Sequence, residues 1–142
     1  AAKVYFNALF GKSFSREQDN PINAALNYGY AILLSAVNRE ILSLGYITQL
    51  GLNHCNQFNP YNLGSDLMEP LRGFVDAVVI KLRPTEFDRN VKLSLIELLS
   101  EDVKINDTVQ TFSAAIRIYC KSVFDALRTH DANQIRFIEY EL

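Results

Sequence analysis

The chain has 142 residues, 49% of them hydrophobic and 21% charged, with a formal net charge of −2. That is enough for one domain with its own core, and it excludes a disordered tail or a low-complexity linker. Six Gly, four Pro and no Trp argue against a sandwich or barrel of many short strands.

The charge balance alone gives no sign of nucleic-acid binding, although a local basic surface or a metal ion can do that work. Two cysteines, Cys55 and Cys120, make no disulfide framework and predict a reducing, cytoplasmic setting. No apolar run reaches the length of a membrane span; the richest, residues 24–37, is broken by Asn27, Gly29 and Ser35. The start lacks the basic flank and apolar core of a signal peptide. It is not Met, and it opens in helical spacing, like a piece of a longer protein entered partway through a helix.

In chain order, Val4, Phe6, Leu9 and Phe10 predict a first helix stopped by Gly11. Residues 11–19 are polar and read as a loop. Asn20-Pro21 starts a long helix, Asn as the cap and Pro in the first turn, running to about Leu44 with Gly45 as its stop. Apolar residues cover most of its faces, so it is expected to be central and buried. Residues 46–52 read as a short helix and residues 53–64 as an Asn-rich loop. A helix is expected over about residues 65–82, ended by Arg83-Pro84. Residues 91–100 make a short amphipathic helix. Asn106-Asp107 is read as the cap of a last long helix reaching about His130. The tail, 135–142, is expected to dock as an extended segment. The result is an all-α domain of five to seven helices with no internal boundary.

Residues 53–76 bring together His54, Asp66, Glu69, Arg72 and Asp76. The last four fall roughly on one helical face. A His nitrogen with carboxylate oxygens suits a divalent ion such as Mg2+ or Mn2+, and an adjacent Arg suits a phosphate. The same residues also read structurally. Asp66-x-x-Glu69 has the form of a capping box, and Arg72 with Asp76 that of a surface i, i+4 pair. Cys55 has no second Cys near it for a zinc site, and Cys120 reads as core. His130 suits a helix end, and Tyr28 and Tyr30 suit packing with satisfied hydroxyls. Lys3, Lys12 and Arg16 form a small basic group that is either solvated or set against a phosphate backbone. Residues 1–92 carry nine basic and eight acidic side chains, residues 93–142 five and eight. The front part is therefore the better candidate for an anionic partner.

The run Asn20-Pro21-Ile22-Asn23-Ala24-Ala25-Leu26-Asn27-Tyr28-Gly29-Tyr30 is followed by Gly51-Leu52-Asn53-His54, then by Leu63-Gly64-Ser65-Asp66-Leu67-Met68-Glu69-Pro70-Leu71-Arg72 and Asp76. In order and spacing it resembles the helical C-terminal domain of the CRISPR adaptation integrase, the first Cas protein. The details are most similar to its type II branch. The resemblance covers nearly the whole of residues 1–142, to the final Glu-Tyr-Glu-Leu, and the family's N-terminal β-rich domain has no counterpart here. It implies a metal-dependent DNA endonuclease and integrase that inserts spacer DNA into CRISPR arrays by transesterification. The implied partners are double-stranded DNA, a second copy in a homodimer, and the small second Cas protein, with no membrane.

By the same resemblance His54 and Glu69 are catalytic metal ligands for Mg2+ or Mn2+. Asp66, Arg72 and Asp76 support them, and Arg16 and Asn23 match polar positions near the site; together with Lys3 of the basic group they are the expected DNA contacts. The family's first ligand Glu is expected about three residues before Ala1. The chain as given is therefore expected to fold, to bind metal weakly and to be inactive. The alternatives are a non-catalytic helical module for assembly or DNA holding, and an unrelated metal hydrolase built on His54 and Cys55.

Overall fold

The computed structural model describes residues 2–139. The first helix, α1 (Ala2–Phe10), ends at Gly11, whose φ of 102° only glycine adopts freely. The long helix α2 (Pro21–Ser43) begins where the Asn20 side chain accepts the N–H of Asn23 at 2.8 Å, with Pro21 in the first turn. It stops at Gly45, φ 84°.

The expected helix over 65–82 exists in three pieces. These are α3 (Asn62–Met68), a 3-10 turn (Glu69–Leu71) and α4 (Arg72–Leu82). Pro70 has no N–H to continue the ladder, so the chain tightens there. Arg83 takes a left-handed φ of 41° and closes α4 just before Pro84. Asp88 caps α5 (Arg89–Glu97) by accepting the N–H of Val91, and a 3-10 turn (Leu98–Ser100) follows. The last long helix, α6 (Phe112–Thr129), is capped by Thr111 and closed by His130, φ 55°.

Two expectations are corrected. Residues 46–52 form no helix and run as an irregular loop. Asn106 and Asp107 do not cap α6. Both have positive φ, 53° and 60°, and they turn a hairpin between β1 (Asp102–Ile105) and β2 (Thr108–Thr111). Asn and Asp tolerate this left-handed pair, which matches the twist of a two-residue hairpin. The tail strand β3 (Ile138–Glu139) pairs with β1 and gives a sheet of order β2-β1-β3. The rest of the tail reading, residues 140–142, lies outside the described residues. The chain is thus mainly helical, as expected, with one small antiparallel sheet that the all-α reading did not contain.

Helix α2 is the axis of the fold, packed by α3, α4, α5 and α6. Leu26, Leu33, Ile41, Val75, Val79, Leu95, Ile105, Phe112 and Ile116 are each 1% exposed or less. Where α2 crosses α4 and α5 it carries Gly29; a Cβ there would run into Val75 and lie 3.2 Å from Leu95. No helix among the described residues is long and apolar enough to cross a membrane.

Candidate functional site

The loop over residues 46–61 lies across α3 and carries His54. Asp66, its side chain 8% exposed, faces this loop from α3. It accepts the N–H groups of Leu52 at 2.5 Å, Asn53 at 2.8 Å and His54 at 3.1 Å. Its Oδ1 also lies 2.5 Å from Nδ1 of His54. Burial works against the charge on Asp66. The N–H of Asn53, the His54 ring and the N–H groups of His54 and Leu52 outweigh it and hold the carboxyl below the usual carboxylate range.

The capping-box reading of Asp66 and Glu69 is corrected. Helix α3 starts at Asn62, so Asp66 lies inside it, and Asp66 spends its oxygens on the loop. With Asp66 ionised, Nδ1–H of His54 donates to it, and Nε2 is the ring nitrogen not engaged by Asp66. The proton position follows from this pairing. A carboxylate behind an imidazole is the arrangement that fixes a metal-ligating His. The ring is 40% exposed, so a ligand can reach it.

Glu69 stands in the 3-10 turn and forms an ion pair with Nε of Arg72 at 3.3 Å, outside hydrogen-bond alignment. The Arg72 guanidinium sits 5.2 Å from the centre of the Tyr30 ring, a cation–π contact. The expected Arg72–Asp76 pair is corrected as well. Asp76, 3% exposed, instead accepts the hydroxyl of Tyr5 at 2.7 Å and that of Tyr30. Burial and the neighbouring Asp76 push the Tyr30 hydroxyl far above its ordinary pKa, so it stays a donor. Tyr5, Tyr30, Glu69, Arg72 and Asp76 line one cleft of about 760 Å3 between α1, α2 and α4. His54 is not among its lining residues.

Arg16 and Asn23 are brought together. One Arg16 amino group donates to Oδ1 of Asn23 and the other to Asn27 at 2.6 Å, with the guanidinium over the rings of Phe6 and Tyr30. Lys3 is exposed on α1. Cys55 is exposed and Cys120 buried.

Sequence reasoning missed Tyr5, whose hydroxyl reaches Asp76 across 71 positions. It also missed Asn62, whose side chain holds two loop carbonyls. The only local signal for Asn62 was its place four residues before Asp66. Among the described residues no three His, Cys, Asp or Glu side chains stand close enough to hold an ion together. The donor types nonetheless suit a hard divalent ion, with Nε2 of His54 free of Asp66 and the Glu69 carboxylate exposed.

The family model described as CRISPR associated protein Cas1 matches residues 3–91. The chain belongs to the Cas1 family. It is 38% identical over 144 residues to the CRISPR-associated endonuclease Cas1 of Neisseria meningitidis serogroup C (strain 8013), covering 98% of this chain and 47% of that protein. It is 42% identical over 89 residues to the CRISPR-associated endonuclease Cas1 1 of Pyrobaculum aerophilum, covering 60% of this chain and 30% of that one. The chain therefore spans about half the length, or less, of these Cas1 relatives. In fold it is similar to a casposase bound to integration product, with a TM-score of 0.75 and 24% identity over 99% of this chain and 52% of that one. The Cas1 family match spans every residue the site was built from, from Lys3 to Asp76.

Proposed function

We propose that this chain is the catalytic domain of a metal-dependent Cas1-type DNA endonuclease and integrase of the type II branch, which inserts spacer DNA into CRISPR arrays. The observation that carries this reading is the His54–Asp66 pair, in which a buried carboxylate orients an exposed imidazole, in a chain matched to Cas1 over residues 3–91.

His54, through Nε2, and Glu69 are the residues that would hold Mg2+ or Mn2+. When bound, the ion supplies positive charge at the target phosphate. Asp66 keeps the His54 ring turned and its Nδ1 protonated. Asp76, through Tyr30 and the Arg72 stacked on it, keeps the wall beside Glu69 in place. Arg72 offers planar donors to a phosphate oxygen. The attacking group is the 3′-hydroxyl of the DNA, so no protein nucleophile is required.

Spacer-precursor DNA and the CRISPR repeat are the proposed substrates. A homodimer and the small second Cas protein are the proposed assembly partners, and Lys3, Arg16 and Asn23 are proposed to lie near DNA. The third ligand is proposed to be the Glu upstream of Ala1. In that case this chain alone binds Mn2+ weakly and does not join DNA.

In the protein carrying this chain with its upstream part, His54→Ala and Glu69→Ala should each lower strand joining at least about a hundredfold while leaving the thermal melt unchanged. Near-normal joining by both variants overturns the assignment. A second reading, a non-catalytic module, is favoured by the Glu69–Arg72 ion pair and by His54 lying outside the cleft that Glu69 lines. Calorimetric Mn2+ titration decides between the two. Binding that is strong in the extended chain and lost in His54→Ala supports the catalytic site; equal binding in both lengths, or none, supports the module.

A further inference from the structure

We propose that Asn62 is a positioning residue for His54, acting by closing the loop that carries it. The proposal rests on the reading of His54 as a metal ligand. Asn62 is 5% exposed and opens α3 directly beneath the loop. Its Nδ2 donates to the carbonyl of Gln49 at 3.0 Å and to that of Asn56 at 2.9 Å, one on each side of His54. One helical turn further on, Asp66 takes the N–H groups of Leu52, Asn53 and His54 between those two carbonyls.

Two side chains at i and i+4 thus match both polarities of one loop. Asn62 holds the flanks by their carbonyls, and Asp66 holds the middle by its N–H groups. Neither grip substitutes for the other. Without Asn62 the carbonyls of Gln49 and Asn56 lose their donor, and the stretch between them that carries the imidazole is held by Asp66 alone, while the outer edge keeps the bonds of Thr48 to Leu63 and Pro60.

Two further observations fit this role. Gly51 passes so near α3 that a Cβ would collide with the backbone oxygen of His54 and lie 2.9 Å from both Asn62 Cβ and Asp66 Oδ2. The Oδ1 of Asn62 is buried with no hydrogen-bond partner among the described residues. Packing alone gives no reason to bury an amide at this penalty, whereas the two donated bonds do.

The test compares Asn62→Ala and Asn62→Asp in the upstream-extended chain. The aspartate keeps the size and turns the donor into an acceptor that repels both carbonyls. Thr48→Val is the control; it removes the hydroxyl bond to the Pro60 carbonyl at the outer edge of the same loop and touches neither grip. Amide hydrogen exchange at residues 52–54 should speed at least about tenfold in both Asn62 variants, with α2 and α6 unchanged. Mn2+ affinity should fall about 10- to 100-fold, the range for residues that orient a metal ligand. Thr48→Val should lower stability and move neither readout.

Unchanged exchange at 52–54, or exchange that speeds only together with α2 and α6, overturns the proposal. So does an Mn2+ affinity that His54→Ala abolishes and both Asn62 variants leave intact. If His54→Ala leaves Mn2+ affinity unaltered, the metal reading fails separately, and the exchange data still decide whether Asn62 orders the loop.

Discussion

Cys120 and Cys55 show how position in the fold sets the chemistry of one residue type. Cys120 faces the core of α6, where burial and the charge of Glu40 push its thiol up to about 12. Cys55 is exposed on the loop beside His54. At pH 8, iodoacetamide should label Cys55 and leave Cys120 intact in the folded chain; equal labelling would mean that the core opens readily. The raised thiol also fixes the sign of a pH effect. Its contribution to stability is full below the unfolded value near ~8.5 and is lost as pH rises toward the folded value, because only the unfolded thiol ionises in that window. Urea denaturation from pH 8 to 11 should therefore show wild type losing more stability than Cys120→Ala. Equal slopes would contradict the burial. Tyr30 and Tyr119 are raised too and add the same sign at higher pH, so the difference between the two proteins is the informative quantity.

Among the elements, α2 joins the rest at Gly29, and the hairpin depends on Asn106-Asp107. Gly29→Ala should gain about 1 kcal/mol in helix propensity and lose roughly 1–3 kcal/mol from overpacking against the buried Val75. The second effect should win, giving a net loss of about 1 kcal/mol in a urea melt. A more stable variant would show that Val75 yields. At the hairpin the opposite holds. Asp107 sits at φ 60° in open turn geometry, so Asp107→Gly should raise stability by up to about 1 kcal/mol. A lower melting temperature would show that the Asp107 side chain makes a contact worth more than the backbone strain. The sequence marked the start of α2 correctly because Asn20 and Pro21 act within one turn. It misread Asn106-Asp107 because Asn and Asp serve caps and left-handed turns alike. Only the pairing of Lys104 with Val109 and of Ile105 with Thr108 tells the two apart.

Across the whole molecule, α2 and α6 are tied by a buried carboxylate with exposed partners. Glu40 is 2% exposed and lies 3.2 Å from Nε of Arg117 and 3.4 Å from Nε of Arg39. Removing the carboxylate charge leaves two arginines that water already solvates. Removing Arg117 leaves a buried charge with one partner fewer. Arg117→Ala should therefore destabilise by about 2 kcal/mol and Glu40→Gln by under about 1 kcal/mol, measured by chemical denaturation. The reverse order would place the value of this pair in Glu40 packing. The same tertiary logic builds the cleft wall, where Tyr5 from α1 and Tyr30 from α2 meet on Asp76 of α4.

The sequence by itself determined the helix cap at Asn20, the stops at Gly11, Gly45 and Arg83-Pro84, the burial of α2 and the family to which the chain belongs. Each of these depends on neighbours within a turn or on a linear order of residue types. Tertiary structure alone decided that Asp66 holds the His54 loop rather than a helix cap, that Asp76 takes two tyrosines rather than Arg72, and that the tail completes a sheet with β1. A carboxylate bonds to whichever donors packing brings within 3 Å, and side chains 12 to 71 positions apart leave no local trace of that meeting.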